Sequence, residues 1–228
     1  MSLFNSVELT CPACRAAVAF RVVHSVNAVR APELRRAILD QTFQRATCSS
    51  CALDFRYAPE FTYVDSQRGQ WVAALPLDRL RGWREAELSA RSTFEGVYGA
   101  TAAPVLQALG RRMRPRITFG WAGVREKLLI ADLALDDVSV ELCKAIVLRA
   151  SQEAPLSRET ELRLVDSDSK GLALAWLSAA DEAVGDSLHL SRRLYDEVTS
   201  DPEGAWAPLR SDLTQGLFVD LARLMLAD

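Results

Sequence analysis

Cys11-Pro12-Ala13-Cys14 and Cys48-Ser49-Ser50-Cys51 are two C-x-x-C pairs separated by residues 15–47. Two thiols spaced by two residues can turn toward one ion, because the intervening turn is tight and its N–H groups can bond to sulfur. Two such pairs supply the four thiolates of a tetrahedral Zn²⁺ site, with Cys11, Cys14, Cys48 and Cys51 as ligands. Four thiolates leave no open coordination position, which makes the expected metal architectural rather than catalytic. The same four sulfurs would serve an iron ion of the rubredoxin type. Cys-Pro-Ala-Cys taken alone also reads as a dithiol redox motif, so a thiol-disulfide oxidoreductase is an alternative. That alternative needs a βαβ setting and a single pair.

Working outward, Val18, Phe20 and Val22 alternate with other residues and predict a strand after the first pair. Pro32 opens a short helix with Leu34, Ile38 and Leu39 on one face. Phe43 to Thr47 return toward the second pair, and Leu53, Phe55 and Tyr57 alternate beyond it. Asp65-Ser-Gln-Arg-Gly69 is a turn signal, so residues 61–75 read as a hairpin. Residues 77–91 read as a helix weakened at Gly82, 92–103 as a linker or loop, and Pro104 to Met113 as a short helix. Arg116 to Phe119 form a strand candidate. Helices around Trp121–Leu129 and Val138–Arg149, joined by Leu135-Asp-Asp137, suggest a helical hairpin capped at Asp136 or Asp137. Beyond residue 150, Leu162/Leu164 and Leu172/Leu174/Trp176 flank a turn and predict a β-hairpin. Helices are expected at 191–200 and 211–226.

The chain resembles the bacterial CpXC-domain proteins, named for two such cysteine motifs. The resemblance runs through the two cysteine pairs, Ser25-Val26-Asn27, Pro32-Glu-Leu34, Phe61-Thr-Tyr63-Val-Asp65 and Leu75-Pro76. It continues through Arg116-Ile-Thr-Phe-Gly120, Arg125-Glu-Lys-Leu-Leu-Ile130 and Leu135-Asp-Asp137, covering roughly residues 7–150. It implies a zinc-ribbon-like N-terminal region and brings no established activity. Ribbons of this type often carry Gly after each pair, where this chain has Arg15 and Ala52. Ser49 stands where a proline is usual.

Apolar residues make up 49% and charged residues 25%, enough for a core under an ordinary surface. No apolar run is long enough to cross a membrane, and the first residues lack the pattern of a secretory signal. A cytoplasmic location, with reduced thiols, is therefore expected. Residues 1–127 hold 18 Arg/Lys against 11 Asp/Glu, and residues 128–228 hold 9 against 19. The two halves can neutralise each other, or one can face a charged partner.

Arg111, Arg112, Arg114 and Arg116 form the densest basic run and are the candidate anion or nucleic-acid contacts. No stacking aromatics are interleaved there, and net charge is −3. Asp132, Asp136, Asp137 and Glu141 read as helix caps and a solvated face. Cys143 reads as an apolar filler, and His24 and His189 as residues without a catalytic partner. Glu85 and Glu87, two apart, share no helical face. No phosphate-binding loop, nucleophile elbow or zinc-protease motif is present.

The sequence thus predicts an α+β protein. Residues 1–150 would be a CpXC-like domain, with a zinc ribbon and its inserted helix within 7–76 and a mixed, mainly helical continuation over 77–150. Residues 151–228 would be a β-hairpin-plus-helices module. The expected role is a non-enzymatic zinc protein whose partner is another protein, with nucleic acid as the alternative.

Overall fold

The computed structural model describes residues 3–150 and 160–226. Strands β1 (Leu3–Thr10) and β2 (Ala17–Asn27) form an antiparallel hairpin with the first cysteine pair at its tip. After α1 (Pro32–Leu39), two short strands, β3 (Arg45–Thr47) and β4 (Asp54–Arg56), form a second hairpin that carries the second pair. Strand β5 (Phe61–Asp65) then runs parallel to the end of β2, with Val26 beside Tyr63. The segment containing α1 and the second hairpin is therefore a crossover between two parallel strands.

Strand β6 (Gln70–Leu75) folds back on β5 through the turn at 65–69. Asp65 Oδ1 accepts the N–H groups of Gln67 and Arg68 at 3.0 and 3.1 Å. Gly69 has φ +64°, and a Cβ there would sit 2.6 Å from the Arg112 carbonyl oxygen, so the turn admits only glycine. A 3-10 turn (Leu77–Gly82), α2 (Trp83–Tyr98) and α3 (Pro104–Gly110) then lead to β7 (Arg114–Phe119), which is parallel to β6. The five strands lie in the order β1-β2-β5-β6-β7. A strand within 77–150 thus completes the sheet begun within 7–76.

Alternation along these strands divides the side chains between two apolar layers. Phe61, Tyr63, Val72 and Ala74 pack with Ile38 of α1 and with Val124 and Leu128 of α4 (Gly120–Asp132). On the opposite face, Trp71, Ile117 and Phe119 pack with Trp83 and Ala90 of α2 and with Leu217 and Phe218. A third cluster joins Val138, Leu142 and Val147 of α5 (Asp137–Ala150) to Leu162 and Leu164 of β8 (Thr160–Ser167) and Leu172 and Leu174 of β9 (Gly171–Ser178). Tyr195 and Val198 of α6 (Arg192–Ser200) and Leu213 of α7 (Ala207–Thr214) close it.

The molecule is α+β as the sequence predicts, with differences in detail. The stretch 92–103 is not all loop, because α2 continues to Tyr98. Trp83, Ala90 and Phe94 share its inner face, Phe94 lies 5.1 Å from Tyr98 ring to ring, and a side chain at Gly96 would enter open space. The C-terminal hairpin gains a third strand, β10 (Val184–Ser191), antiparallel to β9. Its exposed, polar pattern of Gly185, Asp186 and Ser187 hid it from an apolar-alternation reading. Residues 211–226 are not one helix: α7 stops at Thr214 and α8 spans Ala222–Met225. Between them Leu217 accepts the Ile117 N–H at 3.0 Å, and Leu217 and Phe218 enter the sheet's core. Burial of those two side chains outweighs continued helix.

Candidate metal centre

The two cysteine pairs are built alike. In the first, the Cys11 N–H donates to the Ala16 carbonyl at 2.9 Å and the Arg15 N–H to the Cys11 carbonyl at 3.0 Å. In the second, Cys48 N–H bonds the Leu53 carbonyl and Ala52 N–H the Cys48 carbonyl, each at 2.9 Å. Arg15 and Ala52 adopt φ of 62° and 58°. That is the left-handed region where glycine would be unstrained, so the two positions lacking the usual glycine still make its turn. The fold therefore repeats one knuckle twice, on hairpins that the sequence keeps apart but α1 and the parallel pairing of β2 and β5 bring together.

All four Sγ atoms lie within 4.8 Å of one another. Cys11 Sγ is 3.7 Å from Cys51 Sγ, and Cys14 Sγ is 3.6 Å from Cys48 Sγ. With Zn–S bonds of roughly 2.3 Å, the edge of a sulfur tetrahedron is about 3.8 Å. The thiol set fits such an ion. The Cys11–Cys51 and Cys14–Cys48 contacts draw both pairs to one centre, whereas a dithiol redox centre would use a single pair. Cys11 and Cys48 are buried, and Cys14 and Cys51 are exposed, so the cluster sits at the surface with two inner and two outer sulfurs.

The backbone also favours thiolates. N–H groups of Cys14 and Ala13 lower the Cys11 thiol, and those of Ser50 and Cys51 bring Cys48 down to about 6. The Leu53 N–H pulls Cys51 the same way, but Cys14, burial and the remaining thiols outweigh it and push Cys51 up to about 12. The last thiol of a crowded set resists ionising until a cation balances the charge.

The second hairpin is seated by aromatic packing. Phe43, Phe61 and Trp121 meet with ring centroids 5.4 to 5.8 Å apart. Trp121 Nε1 donates to the Tyr57 carbonyl at 3.1 Å, and the Arg56 guanidinium lies 3.7 Å above the Trp121 ring. Arg56 also pairs with Glu182 at 2.6 Å, tying this hairpin to the loop after β9.

Arg112, Arg114 and Arg116 line one cleft of about 510 Å³ with Arg68 and Lys127, while Arg111 is exposed outside its lining. Arg116 is held by Asp137, at 2.6 and 3.1 Å, and Arg114 lies 4.0 Å from Asp136. Asp136 caps α5, accepting the Ser139 N–H at 2.9 Å, and Asp132 is bound by Arg35 and by Arg68. Asp137 and Glu141 depart from the expected solvated face, since both are buried. Cys143 is a fully buried filler whose thiol burial pushes up to about 12. His24 is half-buried on β2, and His189 is exposed on β10.

Sequence reasoning missed a buried charged network. Lys144 Nζ reaches Glu126 Oε1 at 3.0 Å and Glu141 Oε1 at 2.7 Å. Arg163 reaches Glu126 at 2.9 Å and Asp220 at 2.5 Å, and also holds Glu161. Lys127 bonds Asp137 at 3.2 Å and the Val219 carbonyl at 2.7 Å. Glu126, Glu141 and Asp220 come close enough to suggest a second metal site, but Lys144 already pairs with Glu126 and Glu141, and Arg163 with Asp220. The only sequence signal was the placement of Glu126, Glu141 and Lys144 within apolar helical stretches.

Residues 9–144 match the family model described as CpXC protein. No curated protein and no solved structure matches the chain.

Proposed function

Because the chain belongs to the CpXC family, whose match spans both thiol pairs, we propose that Cys11, Cys14, Cys48 and Cys51 hold one structural zinc ion. The observation that carries this is the pairing of sulfurs from two equivalent knuckles at tetrahedral edge lengths of 3.6 and 3.7 Å. Zinc is favoured over iron by its ease of forming closed four-thiolate sites without redox chemistry. The ion's part is to join the tips of two hairpins that have little apolar surface of their own, a small cluster of Cys11, Val18, Ala46 and Cys48.

With four sulfur ligands the metal has no position for substrate, so the centre acts as a scaffold. The protein is then a non-enzymatic interaction module whose partner is another protein, working in the cytoplasm. The exposed outer rim of Cys14 and Cys51, with Pro12, Ala13, Ser49 and Ser50 around it, is the surface the ion would make rigid. Metal analysis of anaerobically purified protein tests the metal, and crosslinking to binding partners before and after zinc removal tests the role. Zinc-dependent capture of a protein is expected. Capture that is indifferent to the metal would place the binding surface elsewhere.

A further inference from the structure

A cavity of about 440 Å³ opens where β7, β8, α5 and the 217–226 segment meet. This is within the size range of small-molecule sites. Its walls are apolar, formed by Leu77, Leu80, Phe119, Leu148, Phe218 and Met225, with Phe119 and Phe218 in edge-to-face contact at 5.1 Å. Its polar floor includes Glu161, Asp220, Lys144 and Arg163.

The two cations on that floor are spent. The Lys144 ammonium donates to Glu126 Oε1 and Oε2 at 3.0 and 3.2 Å and lies 2.7 Å from Glu141. Arg163 gives Nη1 to Glu126 and Asp220, and gives Nε and Nη2 to Glu161. An anionic ligand would have to take these donors from carboxylates buried with them, leaving those carboxylates as unpaired buried charges. The acceptors are less committed. Glu161 receives Arg163 only on Oε2, and among the described residues no hydrogen bond reaches its Oε1. Asp220 Oδ1 accepts one N–H, from Ala222 at 2.9 Å. Glu126, Glu141, Glu161 and Asp220 face Lys144 and Arg163, with Lys127 at 3.9 Å from Glu141 and shared with Asp137.

We infer that this cavity binds a small molecule with an apolar body and a cationic amine head, the body against Phe119 and Phe218 and the ammonium on Glu161 and Asp220. Desolvated carboxylates with free lone pairs recognise N⁺–H donors strongly, and the apolar walls exclude the water that would compete. The inference does not depend on the thiol cluster.

The test is titration of the full, metal-loaded chain with 2-phenylethylamine and hexylamine, beside the neutral 2-phenylethanol and the anionic phenylacetate. Binding is read by NMR shifts and by the rise in melting temperature. Saturable amine binding is expected, about tenfold or more tighter than the alcohol, with no binding of the carboxylate. Glu161→Gln should remove most of that preference, weakening the amine far more than the alcohol. Met225→Trp, at an exposed residue of the rim, should block amine and alcohol alike without unfolding the chain. Failure of both amines to bind, equal affinity for amine and alcohol, or binding that Met225→Trp leaves intact would each overturn the inference.

Discussion

Cys11 Sγ lies 3.7 Å from Cys51 Sγ although the two residues sit on different hairpins, 40 positions apart in the chain. That approach is set by the parallel pairing of β2 with β5, which returns the chain past its own first hairpin. The sulfurs are a joint between two small elements, and removing one should loosen both. Cys48→Ser is expected to cost metal binding and to raise hydrogen exchange in β1, β3, β4 and the first half of β2. The sheet of β5, β6 and β7 should keep its protection. Uniform loss of protection across the chain would show that the joint is not local.

Arg15 and Ala52 take left-handed backbone angles of 62° and 58°. Such conformations cost non-glycine residues on the order of 1 kcal/mol. Arg15→Gly and Ala52→Gly should therefore each stabilise the metal-loaded protein, by about 0.5–1 kcal/mol in urea unfolding. Ala13→Gly, inside the first knuckle but without a positive φ, should give no gain. A loss of stability at both Arg15→Gly and Ala52→Gly would contradict the strain.

Lys144 is the cation on which Glu126 and Glu141 converge, and its side chain is 2% exposed. Lys144→Met leaves two buried carboxylates short of a partner and should cost about 3–5 kcal/mol. Combining it with Glu141→Gln removes one of those charges and should recover part of the loss. Thermal unfolding of the single and double variants measures the coupling, and strictly additive losses would be inconsistent with a shared network.

Burial raises the Glu141 carboxyl to about 7 from its ordinary 4.5, against the pull of Lys144 and Lys127 and with the push of Asp220 and Glu126. Below pH 4.5 the group holds its proton whether the chain is folded or unfolded. Between 4.5 and about 7 the unfolded chain releases it first, so this group's contribution to stability falls as pH rises, and the loss is complete above about 7. The slope is at most about 1.4 kcal/mol per pH unit. Glu141→Gln keeps an oxygen for the Leu221 N–H, which Glu141 now accepts at 3.0 Å, and should remove that slope. Denaturant unfolding of both proteins at pH 5, 6, 7 and 8 measures it. A stability difference between them that does not change across this range would rule the titration out.

The cysteine knuckles, the 61–75 hairpin and most helices were legible because their signals are local: ligand spacing, turn residues and apolar period. What could not be read depends on contacts distant in sequence. Leu217 and Phe218 looked like the middle of a helix until β7 offered Ile117 and the sheet core. Strand β10 carries few apolar residues because only one edge of it is paired and its side chains are mostly exposed. Glu141 and Asp137 looked like surface charges because their cations, Lys144, Arg116 and Lys127, come from other turns and other elements. The four thiols were legible as a set, but their equivalence, down to matched left-handed residues, appears only when the two hairpins stand side by side.

The most direct measurement is zinc and iron content, with free-thiol titration, on protein purified without added metal or chelator. About one zinc per chain is expected, with a sulfur-only first shell by X-ray absorption and only Cys143 outside it, itself buried against reagents. Protein that is fully folded with no bound metal, and with Cys11, Cys14, Cys48 and Cys51 all reacting as free thiols, would contradict the metal centre.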